Sequence, residues 1–283
     1  MPFIILEDPD GPKDLFYREH GDGVPMLFLH GGWGYGMYPF DAQIEAFKNR
    51  FRILIPDRTG YGQSPRRESF PRGFHEIFAT EMRQFLGALN VEKCVLWGHS
   101  DGAVTAVRMA LSEPDRFPAV ILEAIHYDRC KPRSRSFFET AAMNPKKFGV
   151  AVATAMAKEH GDDYWEYLMR VHGQAWLDIL DSCQDPERDL YSGRIAQLRT
   201  PALLVHGSED PRTEPNELAE LKAALPSVKI HMIPGATHSP HSEPNHADNV
   251  TGAAASFLQR VATENVVQQE RKPLLREGGV DAT

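Results

Sequence analysis

The chain has few cysteines, no long hydrophobic run and no surplus of positive charge. Only three of its 283 residues are cysteine, Cys94, Cys130 and Cys183. So few and so scattered, they argue against a disulfide framework, and the odd count fits a reducing compartment. No apolar stretch reaches the length that spans a bilayer, so no membrane-embedded role is expected. The opening residues, Met1-Pro2-Phe3-Ile4-Ile5-Leu6-Glu7-Asp8, lack the charged and apolar regions of a secretory leader. A cytoplasmic location is therefore expected, and the sequon Asn249-Val250-Thr251 is read as incidental. Lys and Arg total 31 against 39 Asp and Glu, a formal charge of −8 with no basic stripe, so nucleic acid is not an expected partner. Internal repeats and low-complexity tracts are also missing. What is present is a 42% hydrophobic chain of a length that can bury one large core.

Eight segments read as strands: 3–7, 15–20, 25–30, 52–57, 94–99, 119–124, 202–207 and 229–233. The last six are nearly continuous apolar runs, as parallel strands buried on both faces should be, whereas the first two alternate like an edge hairpin. Helical patterns fall at 39–47, 74–89, 102–112, 214–224 and 246–263. Such alternation implies a mostly parallel eight-stranded α/β sheet covered on both faces.

The most informative residues are Gly98-His99-Ser100-Asp101-Gly102. They follow the apolar run Cys94-Val95-Leu96-Trp97 and precede a helical pattern, which places Ser100 on a sharp strand-to-helix turn, a nucleophile elbow. A side chain at Gly98 or Gly102 would collide with neighbouring backbone in such a turn. As a plain helix N-cap, Ser100 would not call for glycine on both sides. A serine hydroxyl needs a base, and the base needs an acid to orient it. Asp210 follows the strand 202–207 and His238 follows the strand 229–233, both at carboxyl ends, where open α/β sheets gather reactive groups. Glu209 and Glu123 compete for the acid, and His241 and His246 for the base. The three histidines 238, 241 and 246 lack a companion carboxylate or cysteine cluster with metal-ligand spacing, so no metal is assigned.

The order serine, aspartate, histidine resembles that of the α/β-hydrolase superfamily, and the similarity runs from about Phe3 to Arg260. His30-Gly31-Gly32-Trp33-Gly34 is similar to the family's oxyanion loop, and Asp57-Arg58-Thr59-Gly60-Tyr61-Gly62-Gln63-Ser64 to its D-x-x-G-x-G-x-S segment. The resemblance implies an α/β-hydrolase fold with a helical cap and a small-molecule substrate, with no cofactor. It implies Ser100 as nucleophile, His238 as base and Asp210 as acid, through the family's G-x-x-D and G-x-x-H phases from Gly207 and Gly235. It further implies an oxyanion hole from the backbone N–H groups of Asp101 and Gly32, with Trp33 as the other candidate donor.

The family places its cap where this chain carries a long helical, aromatic-rich segment, here 126–195, between core parts 1–125 and 196–263. Its aromatics either pack the cap or line an apolar pocket. Phe137, Trp165 and Trp176, with Trp33 from the early loop, are the pocket candidates. Residues 264–283 lose apolar periodicity and are expected to form an exposed or disordered tail. Arg129, Lys131, Arg133 and Arg135 read as a solvated face rather than an anion gate.

The resemblance implies two-step acyl transfer on a carboxylic ester, with amide or thioester as variants. A serine at the elbow disfavours haloalkane dehalogenase and epoxide hydrolase chemistry. Carbon–carbon bond hydrolysis, cofactor-free perhydrolysis and a non-catalytic receptor remain open, as does the choice between monomer and homodimer. Asp101 either complements the helix dipole or, as in hydrolases similar to valacyclovir hydrolase, receives a substrate ammonium group.

Overall fold

Eight strands form one sheet in this computed structural model, which describes residues 2–7, 11–182 and 189–270, with side chains to residue 264. They are β1 (Phe3–Leu6), β2 (Lys13–His20), β3 (Val24–Leu29), β4 (Phe51–Pro56), β5 (Val95–His99), β6 (Val120–Glu123), β7 (Ala202–Gly207) and β8 (Lys229–Ile233). Their order across the sheet is β1-β2-β4-β3-β5-β6-β7-β8. The β1–β2 and β2–β4 pairs are antiparallel, and every other pair is parallel.

Period-two alternation sends each central strand into two apolar layers. Leu27, Leu29, Leu54 and Leu96 enter one layer, against Phe78, Phe85 and Val104 from α2 (Phe74–Ala88) and α3 (Asp101–Ser112). Met26, Phe28, Ile53, Ile55 and Trp97 enter the other, against Ile44, Phe47, Val250 and Phe257 from α1 (Asp41–Phe47) and α8 (Ala247–Glu270). After β3 the chain moves outward to β4 and then returns to lay β5 on the other side of β3. That reversal opens a crevice at the carboxyl ends of β3 and β5, where α/β sheets bind ligands.

Between β6 and β7 lie α4 (Arg135–Met143), α5 (Val150–His160) and α6 (Trp165–Asp181). His160 ties them to the core, its Nδ1 accepting from Gly62 N–H at 2.8 Å and its Nε2 donating to Trp33 O at 3.0 Å. The helix α7 (Glu217–Ala224) starts three residues later than the pattern at Glu214 suggests. Glu214 N–H instead donates to the Glu217 side chain, while the Glu214 side chain accepts from Arg133 N–H.

Three expectations change. The helix α8 continues to Glu270 rather than ending near 263. Glu264, Gln268, Gln269 and Glu270 favour helix, so it propagates beyond its packed face. Residues 271–283, and Cys183 with them, lie outside the described residues. Cys130 is disulfide-bonded, contrary to the expectation of free thiols, while Cys94 is a buried free cysteine. Spacing along the chain does not report which cysteines a fold brings together. The basic cluster is a solvated face only in part, since Arg133 is exposed and the Arg135 side chain is 42% exposed. Lys131 is buried and holds Glu217 at 2.7 Å, Arg133 and Arg129 bond backbone carbonyls, and Arg135 pairs with Asp181.

Candidate active site

Ser100 has φ 55° and ψ −119°, a left-handed conformation unusual for a residue with a side chain. The turn is possible because Gly98 and Gly102 leave room. A Cβ on Gly98 would stand 2.3 Å from Gly102 O, and one on Gly102 2.1 Å from Leu29 O. The elbow thus lifts the hydroxyl off the end of β5, at the crevice.

The structure brings Ser100, His238 and Asp210 together. His238 Nε2 is 3.0 Å from Ser100 Oγ, and its Nδ1 is 2.9 and 3.0 Å from the two Asp210 carboxylate oxygens. Asp210 Oδ1 also accepts from Arg212 N–H at 2.8 Å. Burial raises the Asp210 carboxyl's pKa, but the His238 charge and hydrogen bond, then His206 and the Arg212 amide, outweigh it and hold the group well below the usual carboxylate range. Glu209 is exposed. Glu123 and His241 form a separate buried pair, with Oε1 to Nδ1 at 2.7 Å, and His246 faces Glu243.

Gly32, Trp33 and Asp101 border the same crevice as Ser100. The N–H groups of Asp101, Gly32 and Trp33 have no acceptor among the described residues. The loop bearing Gly32 is held from below by Arg58, a fully buried side chain whose Nη2 donates to His30 O at 2.7 Å and Gly31 O at 2.9 Å.

A small cavity opens over Ser100. Trp33, Phe137, Phe138 and Trp176 are among its lining residues. Trp33 stacks on Phe137 at 5.2 Å, and Phe138 on Trp176 at 4.9 Å. Trp165 is not a lining residue, correcting the expectation; it is buried elsewhere in the core. Helical spacing puts Trp165 and Trp176 on one stripe of α6, yet three turns, or about 16 Å, separate them along the axis. One small cavity does not reach both.

A model of the alpha/beta hydrolase family matches residues 26–250. The chain belongs to the α/β-hydrolase family. It is 26% identical over 249 residues to serine hydrolase BPHL of Mus musculus, covering 87% of this chain and 83% of that protein. It is also 26% identical over 259 residues to the sn-1-specific diacylglycerol lipase ABHD11 of Xenopus tropicalis, covering 81% and 77%. The solved structure of a thermophilic esterase from Thermogutta terrifontis superposes with a TM-score of 0.68 at 20% identity, covering 92% of this chain and 99% of that one. That last likeness speaks to the fold alone.

Within this α/β-hydrolase site, Asp101 departs from its simplest reading as a dipole-facing carboxylate. Its Oδ1 accepts from His75 Nε2 at 2.9 Å and Trp176 Nε1 at 3.2 Å, and its Oδ2 meets His172 Nε2 at 2.7 Å. Burial raises its pKa, yet the hydrogen bonds and charges of His172 and His75 win and keep it well below the carboxylate range. The carboxylate therefore clamps α2 and α6 onto the elbow. His172 and Trp176 lie four apart on α6, so both reach it from one face. The helical spacing of the two was readable in the sequence; their common target was not.

His126 is another residue that sequence reasoning missed. It follows β6, and its Nε2 is 3.2 Å from Ser100 Oγ. Burial, with the Lys131 and His238 charges, depresses its pKa far below the ordinary histidine value. His99, inside the elbow, is pushed down to about 3 by burial and by His241 and His238. Its Nε2 donates to His238 O at 3.0 Å, a packing role for the loop that carries the candidate base.

No helix among the described residues is long and apolar enough to cross a membrane.

Proposed function

We propose that the protein is a serine hydrolase of small carboxylic esters. One observation carries the reading: Ser100 Oγ, His238 and Asp210 form a continuous hydrogen-bonded chain at the β3–β5 crevice, at 3.0 and 2.9 Å. His238 takes the serine proton as Oγ attacks the carbonyl carbon, and Asp210 holds the ring's tautomer and stabilises its cation. The unpaired N–H of Asp101, with that of Gly32 or Trp33, receives the charge developing on the carbonyl oxygen, each donor worth about 2.7 to 4 kcal/mol in comparable enzymes. The alcohol leaves with the proton from His238. Water, activated by the same imidazole, then releases the acid and restores Ser100.

The names of the relatives, a serine hydrolase and a diacylglycerol lipase, support this chemistry, and the second is named for an ester substrate. The tight cavity over Ser100 supports a small one. A fluorophosphonate probe should label Ser100, located by peptide mass, and a panel of short esters should be turned over. Ser100→Ala should lose labelling and about four to six orders of magnitude of turnover while keeping its fold. Ester hydrolysis at the parent rate in purified Ser100→Ala would falsify the reading.

A further inference from the structure

Arg212 brings an uncompensated cation to the cavity that holds Ser100. Its backbone is pinned on both sides: N–H donates to Asp210 Oδ1 at 2.8 Å, and the carbonyl accepts from Lys131 Nζ at 3.1 Å. The guanidinium carbon lies 3.1 Å from the centre of the Phe137 ring. Yet among the described residues the guanidinium makes no hydrogen bond and no ion pair, although it has five N–H donors to satisfy. The nearby carboxylates are already committed, Asp210 to His238 and Asp101 to His75 and His172. Burial lowers the guanidinium's pKa to about 10, against the raising influence of Tyr38, Asp210 and Asp101, so it remains charged at neutral pH. Tyr38 lines the same cavity, half-buried, and its hydroxyl also lacks a partner among the described residues.

We propose that Arg212, assisted by Tyr38, binds a carboxylate on the substrate, so that the preferred esters carry a free acid group beside the scissile bond. This deepens, and rests on, the serine-hydrolase reading. A guanidinium stacked on an aromatic face matches a carboxylate's two oxygens better than any neutral group does. With no counter-ion among the described residues, the guanidinium is left to the solvent of the cavity, which a substrate carboxylate can replace. The same charge repels the ammonium of an α-amino-acid ester.

The test compares two pairs of esters, since the acid group can sit on either side of the bond. One pair is monophenyl glutarate and phenyl pentanoate; the other is 4-carboxyphenyl butanoate and 4-methylphenyl butanoate. In at least one pair, Arg212→Gln should lower the charged-to-neutral ratio of kcat/KM by about tenfold or more, Arg212→Lys should give an intermediate ratio, and Tyr38→Phe should lower it less. A ratio that falls by less than about tenfold in both pairs overturns the subsite while leaving the hydrolase reading intact. If the wild-type protein cleaves none of the four, the hydrolase reading has failed and calorimetry with glutarate decides the subsite. Binding that weakens by about tenfold or more in Arg212→Gln supports it; binding that does not, or none at all, overturns it.

Discussion

Ser100 Oγ is shared by two imidazoles, His238 Nε2 at 3.0 Å and His126 Nε2 at 3.2 Å. A hydroxyl has one proton to give, and Asp210 settles where it goes. The carboxylate accepts a hydrogen bond from His238 Nδ1–H, which fixes the proton on that nitrogen and leaves the ring's Nε2 as the acceptor. His126, kept neutral by burial, must then present Nε2–H as a donor to the serine oxygen. It steers the serine proton toward His238 rather than receiving it. His126→Phe, which preserves the ring packing against Trp176 at 5.1 Å, should lower kcat by about tenfold with KM nearly unchanged. A loss as large as that of His238→Ala would instead make His126 the base.

Asp101→Asn is expected to act on stability. The buried carboxylate holds His75, His172 and Trp176 at once, and an amide presents an NH₂ where one of those donors now points. A loss of about 3 kcal/mol in urea unfolding is expected, in the range for removing one partner of a buried charged network. Effects on an aminoacyl ester and its des-amino analogue should be equal, because the oxygens serve α2 and α6. A KM rise confined to the aminoacyl ester would return the carboxylate to a substrate role.

Glu159 gives the contact between α5 and the early loop a pH dependence. Its carboxylate oxygens are buried, and a Cβ added to Gly34 or Gly36 would come within 2.7 Å of one of them. Burial raises its pKa from 4.5 to about 7, against smaller lowering effects. The folded state therefore holds this proton more tightly than the unfolded state does. That stabilisation is complete below about pH 4.5 and is lost as pH rises through about 7. The melting temperature of Glu159→Gln should fall less than that of the parent between those limits. Parallel profiles would show that the carboxyl titrates normally.

The elbow tolerates no added carbon at Gly98. The atom a new Cβ would strike, at 2.3 Å, is the backbone carbonyl of Gly102, which cannot swing aside as a side-chain tip can. Gly98→Ala should therefore cost about 3 kcal/mol or more and displace Ser100, giving poor recovery and no fluorophosphonate labelling. Full labelling at parental stability would mean the turn is softer than its geometry implies.

Local pattern was enough for the sheet. Strands β7 and β8 match their apolar runs residue for residue, and the others shift by one or two, because burial on both faces writes itself into composition. The glycines around Ser100 likewise pointed to the elbow, since a turn's steric demands are local, whereas the choice of Asp210 and His238 came from the resemblance to the family's phases. Three-dimensional folding alone decided what surrounds the hydroxyl. His126, His172 and Arg212 belong to separate segments, and nothing in their neighbours along the chain marks them. Only the packing of the α4–α6 segment over the β3–β5 crevice chose which aromatics face inward, leaving Trp165 out, closing Asp101 within a clamp and, among the described residues, leaving the Arg212 charge without a mate. Periodicity specifies a face of an element; which partner that face meets depends on contacts distant in sequence.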